Sequence, residues 1–206
     1  MKTILTTVLM MFLVASLANS QTLKVTGGVN LISINTAFQS STGDIPDDGD
    51  DDTDFPVRSA LLQSENGNSE LLSTSTKKTS NETGFYLGLA LSDIKLFNHF
   101  DLRPEVRFVA VKDFNQIQVP VLLSYRITEK FHAFAGPNLG FLLDAGDGVN
   151  SFNFALDFGL SYDVSEKISI DARYDWGQTN LLDGGDSNNY LKINNIQFGL
   201  AYRFGK

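Results

Sequence analysis

The 206-residue chain contains no cysteine. That excludes disulfides, a thiol nucleophile and a lipid-bearing N-terminal cysteine together. Histidine occurs twice, as His99 and His132, which is too few for a zinc site of ordinary spacing. No glycine-rich phosphate loop is present. Beyond the first 20 residues no apolar run approaches the ~20 residues of a helical membrane span. Positive charge is also short, 16 Lys and Arg against 24 Asp and Glu. A net charge of −8 argues against nucleic acid as a partner. No cofactor is expected.

The N-terminus is a different matter. Lys2 precedes a mostly apolar stretch from Ile4 to Leu17, and Ala18-Asn19-Ser20 offers small residues at the positions a signal peptidase reads. Residues 1–20 are expected to be a cleaved signal peptide, with the mature chain starting at Gln21. Residues 21–206 then form one domain.

Within that domain the informative signal is a period of two. From Ser151 to Tyr162 the even positions are large and apolar: Phe152, Phe154, Leu156, Phe158, Leu160 and Tyr162. The odd positions are small or polar: Ser151, Asn153, Ala155, Asp157, Gly159 and Ser161. Such alternation is a strand with two unlike faces. The small polar set suits a narrow interior, and the Phe and Leu set suits hydrocarbon outside, the inverted pattern of a membrane barrel.

Eight segments carry the alternation: Leu23 to Phe38, Phe85 to Leu91, Phe100 to Val111, Gln116 to Arg126, Phe131 to Leu143, Ser151 to Tyr162, Ile168 to Gly177 and Tyr190 to Phe204. The predicted fold is all-β, an eight-stranded antiparallel up-and-down transmembrane β-barrel in a Gram-negative outer membrane. In the first segment the apolar face changes phase between Leu31 and Ile32, which predicts a bulge. Pro104, Pro120 and Pro137 fall inside strands and are expected at bulges or weakly paired positions. Short turns, among them Asp93-Ile94-Lys95 with Phe97-Asn98, alternate with longer loops, as barrels require. An even strand count returns both termini to the periplasm. Aromatic residues fall at the two ends of the strands, as interfacial girdles do.

Here a family resemblance enters. Gln118-Val119-Pro120-Val121-Leu122-Leu123-Ser124-Tyr125 resembles the "I-P-L-L-L-K-Y" strand of PorT-like, porin-family outer-membrane β-barrel proteins. Phe134-Ala135-Gly136-Pro137-Asn138-Leu139-Gly140 is similar to the "A-G-P-x-x-G" strand that follows it there, and Leu200-Ala201-Tyr202-Arg203-Phe204 to the closing "L-G-Y-R-F". The resemblance covers residues 22 to 206 and implies the barrel fold; its motifs are strand patterns, weak for activity. Gly205-Lys206 displace the terminal aromatic residue by two positions.

Candidate chemistry falls into three groups. Arg103, Glu105, Arg107, Arg126, Asp157, Asp171, Arg173, Asp175 and Arg203 alternate onto the inward face and read either as an ion path or as a plug of ion pairs. An eight-stranded barrel is just wide enough to be filled by side chains, which favours the plug. The loop 39–81 holds seven aspartates between Asp44 and Asp54. Asp50, Asp52 and Asp54 are spaced as calcium ligands could be, yet the glycine and the closing glutamate of a calcium loop are replaced by Phe55 and Leu61. A solvated acidic extracellular arm is the simpler reading. Finally, His132 points inward near Ser124 and Arg126, but at the end of the barrel where a surface hydrolase would not meet substrate, and Asp171 is not placed to orient it. No enzymatic activity is expected. The expected role is a small integral outer-membrane protein, monomeric, contacting membrane lipid and presenting loops as a closed scaffold. The alternatives are a narrow channel for ions or small solutes, and an accessory of a secretion or assembly machine with an extracellular or secretion-machinery partner.

Overall fold

The computed structural model describes residues 22–40, 74–112, 114–143 and 145–204. The segment 1–20 expected to be a signal peptide, the acidic stretch Asp44 to Asp54 and Gly205-Lys206 lie outside them. Nine strands follow in order: β1 (Thr22–Ser40), β2 (Thr74–Ser92), β3 (Ile94–Phe97), β4 (Phe100–Ala110), β5 (Gln116–Arg126), β6 (Phe131–Leu142), β7 (Phe152–Asp163), β8 (Ile168–Gly177) and β9 (Tyr190–Phe204). All neighbours are antiparallel. The ladder runs β2-β1-β9-β8-β7-β6-β5-β4, and β2 pairs with β4 from Phe85↔Ala110 to Ala90↔Glu105. That last pairing closes an eight-stranded barrel with no free edge. No helix is present among the described residues.

β3 is the ninth strand and stands outside the count. The segment expected as a plain turn forms a short hairpin with β4, with a register shift between Lys95 and Phe97. Asp93 and Asn98 carry the positive φ angles, 65° and 42°, that let the chain reverse there.

The outward face is apolar across the middle of every strand. Leu87, Phe108, Leu123, Phe158, Ile170 and Phe198 are all exposed. Large exposed side chains on every strand of a closed sheet form a belt that only hydrocarbon can cover. Leu91 departs from this pattern: its position in the alternation is outward, yet it is 3% exposed. Rings gather toward both ends, Phe97–Phe100 and Phe100–Tyr125 at one end (4.9 Å each) and Phe141–Phe152 at the other (5.5 Å).

Two turns share one design. Ile127-Thr128-Glu129-Lys130-Phe131 and Val164-Ser165-Glu166-Lys167-Ile168 both close with a backbone N–H donating to the carbonyl four residues on, at 2.9 Å. In each, the hydroxyl accepts from the backbone three residues ahead, Thr128 from Phe131 at 3.0 Å and Ser165 from Ile168 at 3.1 Å. The short hydroxyl side chain replaces a backbone turn acceptor, which is why Ser and Thr recur there.

Two expectations are corrected, and a third is resolved between its two alternatives. The apolar phase change in β1 is real, but no bulge causes it: the register to β2 and to β9 runs unbroken through Leu31 and Ile32. Ile32 and Ile34 are instead buried inside the barrel, so the lumen itself turns apolar toward the long-loop end. The prolines cause no bulge; the ladder is interrupted around them, so the weakly paired alternative is the one observed. Pro104↔Val121 and Arg107↔Gln118 keep one register across the gap opposite Pro120, and Pro120↔Asn138 and Leu123↔Ala135 keep theirs across the gap at Pro137. Missing donors interrupt the ladder without shifting it. Lastly, the segment 39–81 is not all loop. Gln39 and Ser40 belong to β1, and Thr74 to Asn81 extend β2, paired with Ser40 to Ser33. Backbone pairing continues there although the side chains of 76–83 are exposed and polar, so hydrophobic periodicity could not reveal it.

Candidate functional site

Among the described residues, the barrel interior is where strands from around the circumference bring charged groups together. It is built in layers. At the centre, β4 supplies Arg103, Glu105 and Arg107, β7 supplies Asp157, and β8 supplies Asp171, Arg173 and Asp175, all buried. Alternation puts each on the inner face; closure puts them within reach of one another.

Glu105 is the hub. Its carboxylate lies 2.6 Å from Arg103 Nε, 2.9 Å from an Arg173 nitrogen and 3.9 Å from Arg107 Nε. Arg103 also donates to Asp171 at 2.5 Å, and Arg173 donates to the same Asp171 oxygen at 3.2 Å. Ser161 Oγ donates to the other Asp171 oxygen at 2.6 Å. Asp157 and Asp175 are directly opposed in the β7–β8 register, a repulsive placement for like charges. Arg107 stands over both, at 2.8 Å from Asp157 and 3.9 Å from Asp175. Phe134 fills the space between two guanidiniums, with Arg103 and Arg173 each 5.1 Å from its ring centroid, within cation–π range.

The large inward groups need small residues beside them. A Cβ on Gly159 would strike the Phe134 ring, and one on Gly88 would lie 2.7 Å from Arg107 Cγ. These two glycines are there because the neighbouring side chains occupy the space a methyl group would need.

Amides link this layer to the next. Arg107 donates to Gln197 Oε1 at 2.6 Å, and Gln197 donates to Asn30 at 2.9 Å. Asn30 donates to Asn195 at 3.2 Å, and Gln118 donates to Gln116 at 3.1 Å. Beyond the amides the lumen becomes apolar. Ile32, Ile34, Tyr86, Val109, Val111, Leu142, Leu191 and Ile193 pack around Leu181, which enters from the β8–β9 loop. The loops lock over this cluster: Asn150 N–H donates to the Leu181 carbonyl at 2.7 Å, and Val149 pairs with Leu182.

The opposite end holds the remaining charges. Arg126 and Arg203 share the inward alternation but not the buried network. Arg126 is at the mouth, its side chain 41% exposed, and donates to Asp101 at 3.3 Å. Arg203 reaches Asp163 only at 3.9 Å. His132 lies 3.2 Å from Asp163, so Asp163 rather than Asp171 is its carboxylate neighbour. A cavity of about 40 Å³ is lined there by Lys24, Ser124, Arg126, His132, Ser161 and Arg203, among others. No serine hydroxyl donates to His132 among the described residues, and Ser161 is committed to Asp171. The nucleophile–base bond that a Ser/His hydrolase requires is therefore not made.

Sequence reasoning missed Lys24, Asp163 and the amide layer. Lys24, Asn30, Gln116, Gln118, Asn195 and Gln197 all sit at inward positions of the alternation and are buried. That alternation was the available signal; uncharged amides simply did not stand out. The calcium candidates Asp50, Asp52 and Asp54 lie outside the described residues, and no cluster of three or more metal-binding side chains occurs among those described.

A family model agrees with this architecture. Residues 106–204 match the family model described as "Outer membrane protein beta-barrel domain". No match is found among curated proteins. Among solved structures the chain is similar to Ail, the attachment invasion locus protein of Yersinia pestis, in complex with the heparin analogue sucrose octasulfate, at 14% identity and a TM-score of 0.44 over 90% of this chain and 99% of that one. It is similar to Neisserial surface protein A at 13% identity and 0.42, over 88% and 97%. A de novo designed transmembrane β-barrel matches at 11% and 0.42, over 86% and 96%. Identities this low carry nothing about activity. A closed antiparallel barrel with an apolar outer belt, matching that domain over 106–204, is a protein of the bacterial outer membrane.

Proposed function

We propose that this chain is a closed, non-catalytic and monomeric scaffold of the PorT-like kind, which holds extracellular loops at the cell surface. One observation carries the reading: the lumen is occupied along its length, by ion pairs at the centre, amides above them and an apolar cluster around Leu181 at the long-loop end. A conducting pore needs a continuous aqueous path, and an eight-stranded barrel has no width to spare for one. The PorT-like kinship rests on the strand motifs from Gln118 to Gly140 and from Leu200 to Phe204.

In this reading the signal segment 1–20 is removed on export, the short turns face the periplasm and the long loops face out. The segment 41–73, with its aspartates, is the arm that meets a partner or a cation. Planar-bilayer recording on the refolded full chain tests the scaffold. The expected outcome is silence between occasional noise events; large, steady unitary currents would establish the channel alternative instead. Protease added to intact cells should cut first within 41–73 and leave the barrel whole.

A further inference from the structure

We propose that the outer rim carries a saccharide-binding groove where β1, β9 and β8 meet the β8–β9 loop. The outward face changes character there. Along β9 it runs from Phe198 and Ile196 to Asn194, Lys192 and Tyr190, and along β1 from Leu31 to Ser33 and Asn35. Asn35 is in register with Lys192, and Ser33 with Asn194. On β8 the same level holds Trp176, the chain's single tryptophan, 49% exposed. A groove of about 580 Å³ is lined by Asn35, Trp176, Gln178, Asp186, Tyr190 and Lys192, among others.

The chemistry of this lining selects its ligand. A sugar ring has a C–H face and a rim of hydroxyls. Aromatic faces take the first, while amides, a carboxylate and an ammonium take the second. Trp176 and Tyr190 supply the rings, with Lys192 Nζ 5.8 Å over Tyr190. Asn35 Oδ1 accepts from Thr79 at 2.9 Å and Asn194 Oδ1 accepts from Gly177 N–H at 3.0 Å. Both amide NH₂ groups are thereby left without an acceptor among the described residues. An acyl chain gains nothing from such groups, and an extended peptide would need a sheet edge that a closed barrel lacks.

The groove is also preformed, as small-molecule sites usually are. Asn180 Oδ1 accepts from Leu182 and Leu191, both at 3.0 Å, and its Nδ2 donates to the carbonyl of Asn189 at 3.1 Å. Asp186 accepts from the backbone of Asn188 and Asn189 at 2.8 and 2.7 Å. Those N–H groups hold its carboxyl below the ordinary range, so it is ionised at neutral pH. Leu181 anchors the whole loop in the apolar cluster. The groove opens outward rather than into the lumen, so it stands whether or not the lumen conducts. Two sources present this chemistry at that height: the sugar headgroup of an outer-leaflet glycolipid, and a soluble glycan.

The sole tryptophan provides the readout. The full chain is refolded in phosphatidylcholine nanodiscs and titrated with lactose and with N-acetylglucosamine; a second set of nanodiscs contains lipopolysaccharide. A saturable change in Trp176 emission with a free sugar identifies a soluble glycan as the source. A change only with lipopolysaccharide identifies the headgroup. In either case Asn35→Ala and Lys192→Ala should weaken binding about tenfold, with heat-modifiable gel mobility unchanged. No change in both arms, or a change of equal size in the two variants, would overturn the proposal and leave Trp176 as an interfacial anchor alone.

Discussion

Arg107 is 0% exposed and touches three carboxylates and one amide. Arg107→Leu removes a charge from that network and leaves Asp157 without its closest cation. The expected loss is about 3–5 kcal/mol, read from urea unfolding in lipid vesicles, because an unpaired buried charge costs far more than the pair contributes. Gly159→Ala tests packing rather than charge. The new methyl meets the Phe134 ring, which two arginines hold in place. A loss of about 1–3 kcal/mol is expected from overpacking, partly recovered when Phe134→Leu is added. Asp186 belongs to the surface and carries a pH signature. Its carboxyl is held below the usual range by the Asn189 and Asn188 N–H groups. The order it lends the loop is present above the ordinary carboxylate range and is lost as pH falls through the depressed value. Protection factors at Asn188 and Asn189, taken against the intrinsic exchange rate at each pH, should fall on that descent; in Asp186→Ala they should already be low at neutral pH and should not fall further.

At the scale of the element, the β8–β9 loop is a lid rather than a slack connection. Its Leu181 is fully buried, and its backbone bonds to the β6–β7 loop and to β9. Leu181→Ala should cost about 2–5 kcal/mol, since a buried leucine is replaced by a cavity. The same change should leave bilayer recordings silent, because the ion pairs and amides beneath the lid still fill the lumen. Currents from Leu181→Ala alone would show that the lid, and not the charged layer, closes the barrel. The two Ser/Thr-Glu-Lys turns make a smaller claim. Ser165→Ala removes one acceptor from Ile168 N–H and should cost about 0.5–1.5 kcal/mol.

At the scale of the whole molecule, closure through β2 and β4 leaves the sheet with no free edge in the belt. Hydrocarbon demands that. Unheated samples should therefore migrate differently from boiled ones on a denaturing gel, since a closed ladder resists detergent until heated. Identical mobility would contradict a closed barrel.

The sequence by itself determined the local half of this protein. A period of two settles which face of each strand meets hydrocarbon, and the bounds of Gln116–Arg126 and Ile168–Gly177 were legible to the residue. It also named every member of the central charged layer, because charges at inward positions midway along the strands of a narrow barrel must meet inside it. What it did not contain is anything that depends on which strands become neighbours across the barrel. Glu105 as a hub, Asp163 rather than Asp171 beside His132, and the separation of Arg126 and Arg203 from the buried network follow from closure and shear, which alternation within a strand does not encode. The phase change at Ile32 was visible in the residues and its cause was not. Only the closed structure brings Leu181 from a distant loop against Ile32 and Ile34, turning what looked like a slipped strand into the apolar end of a filled lumen.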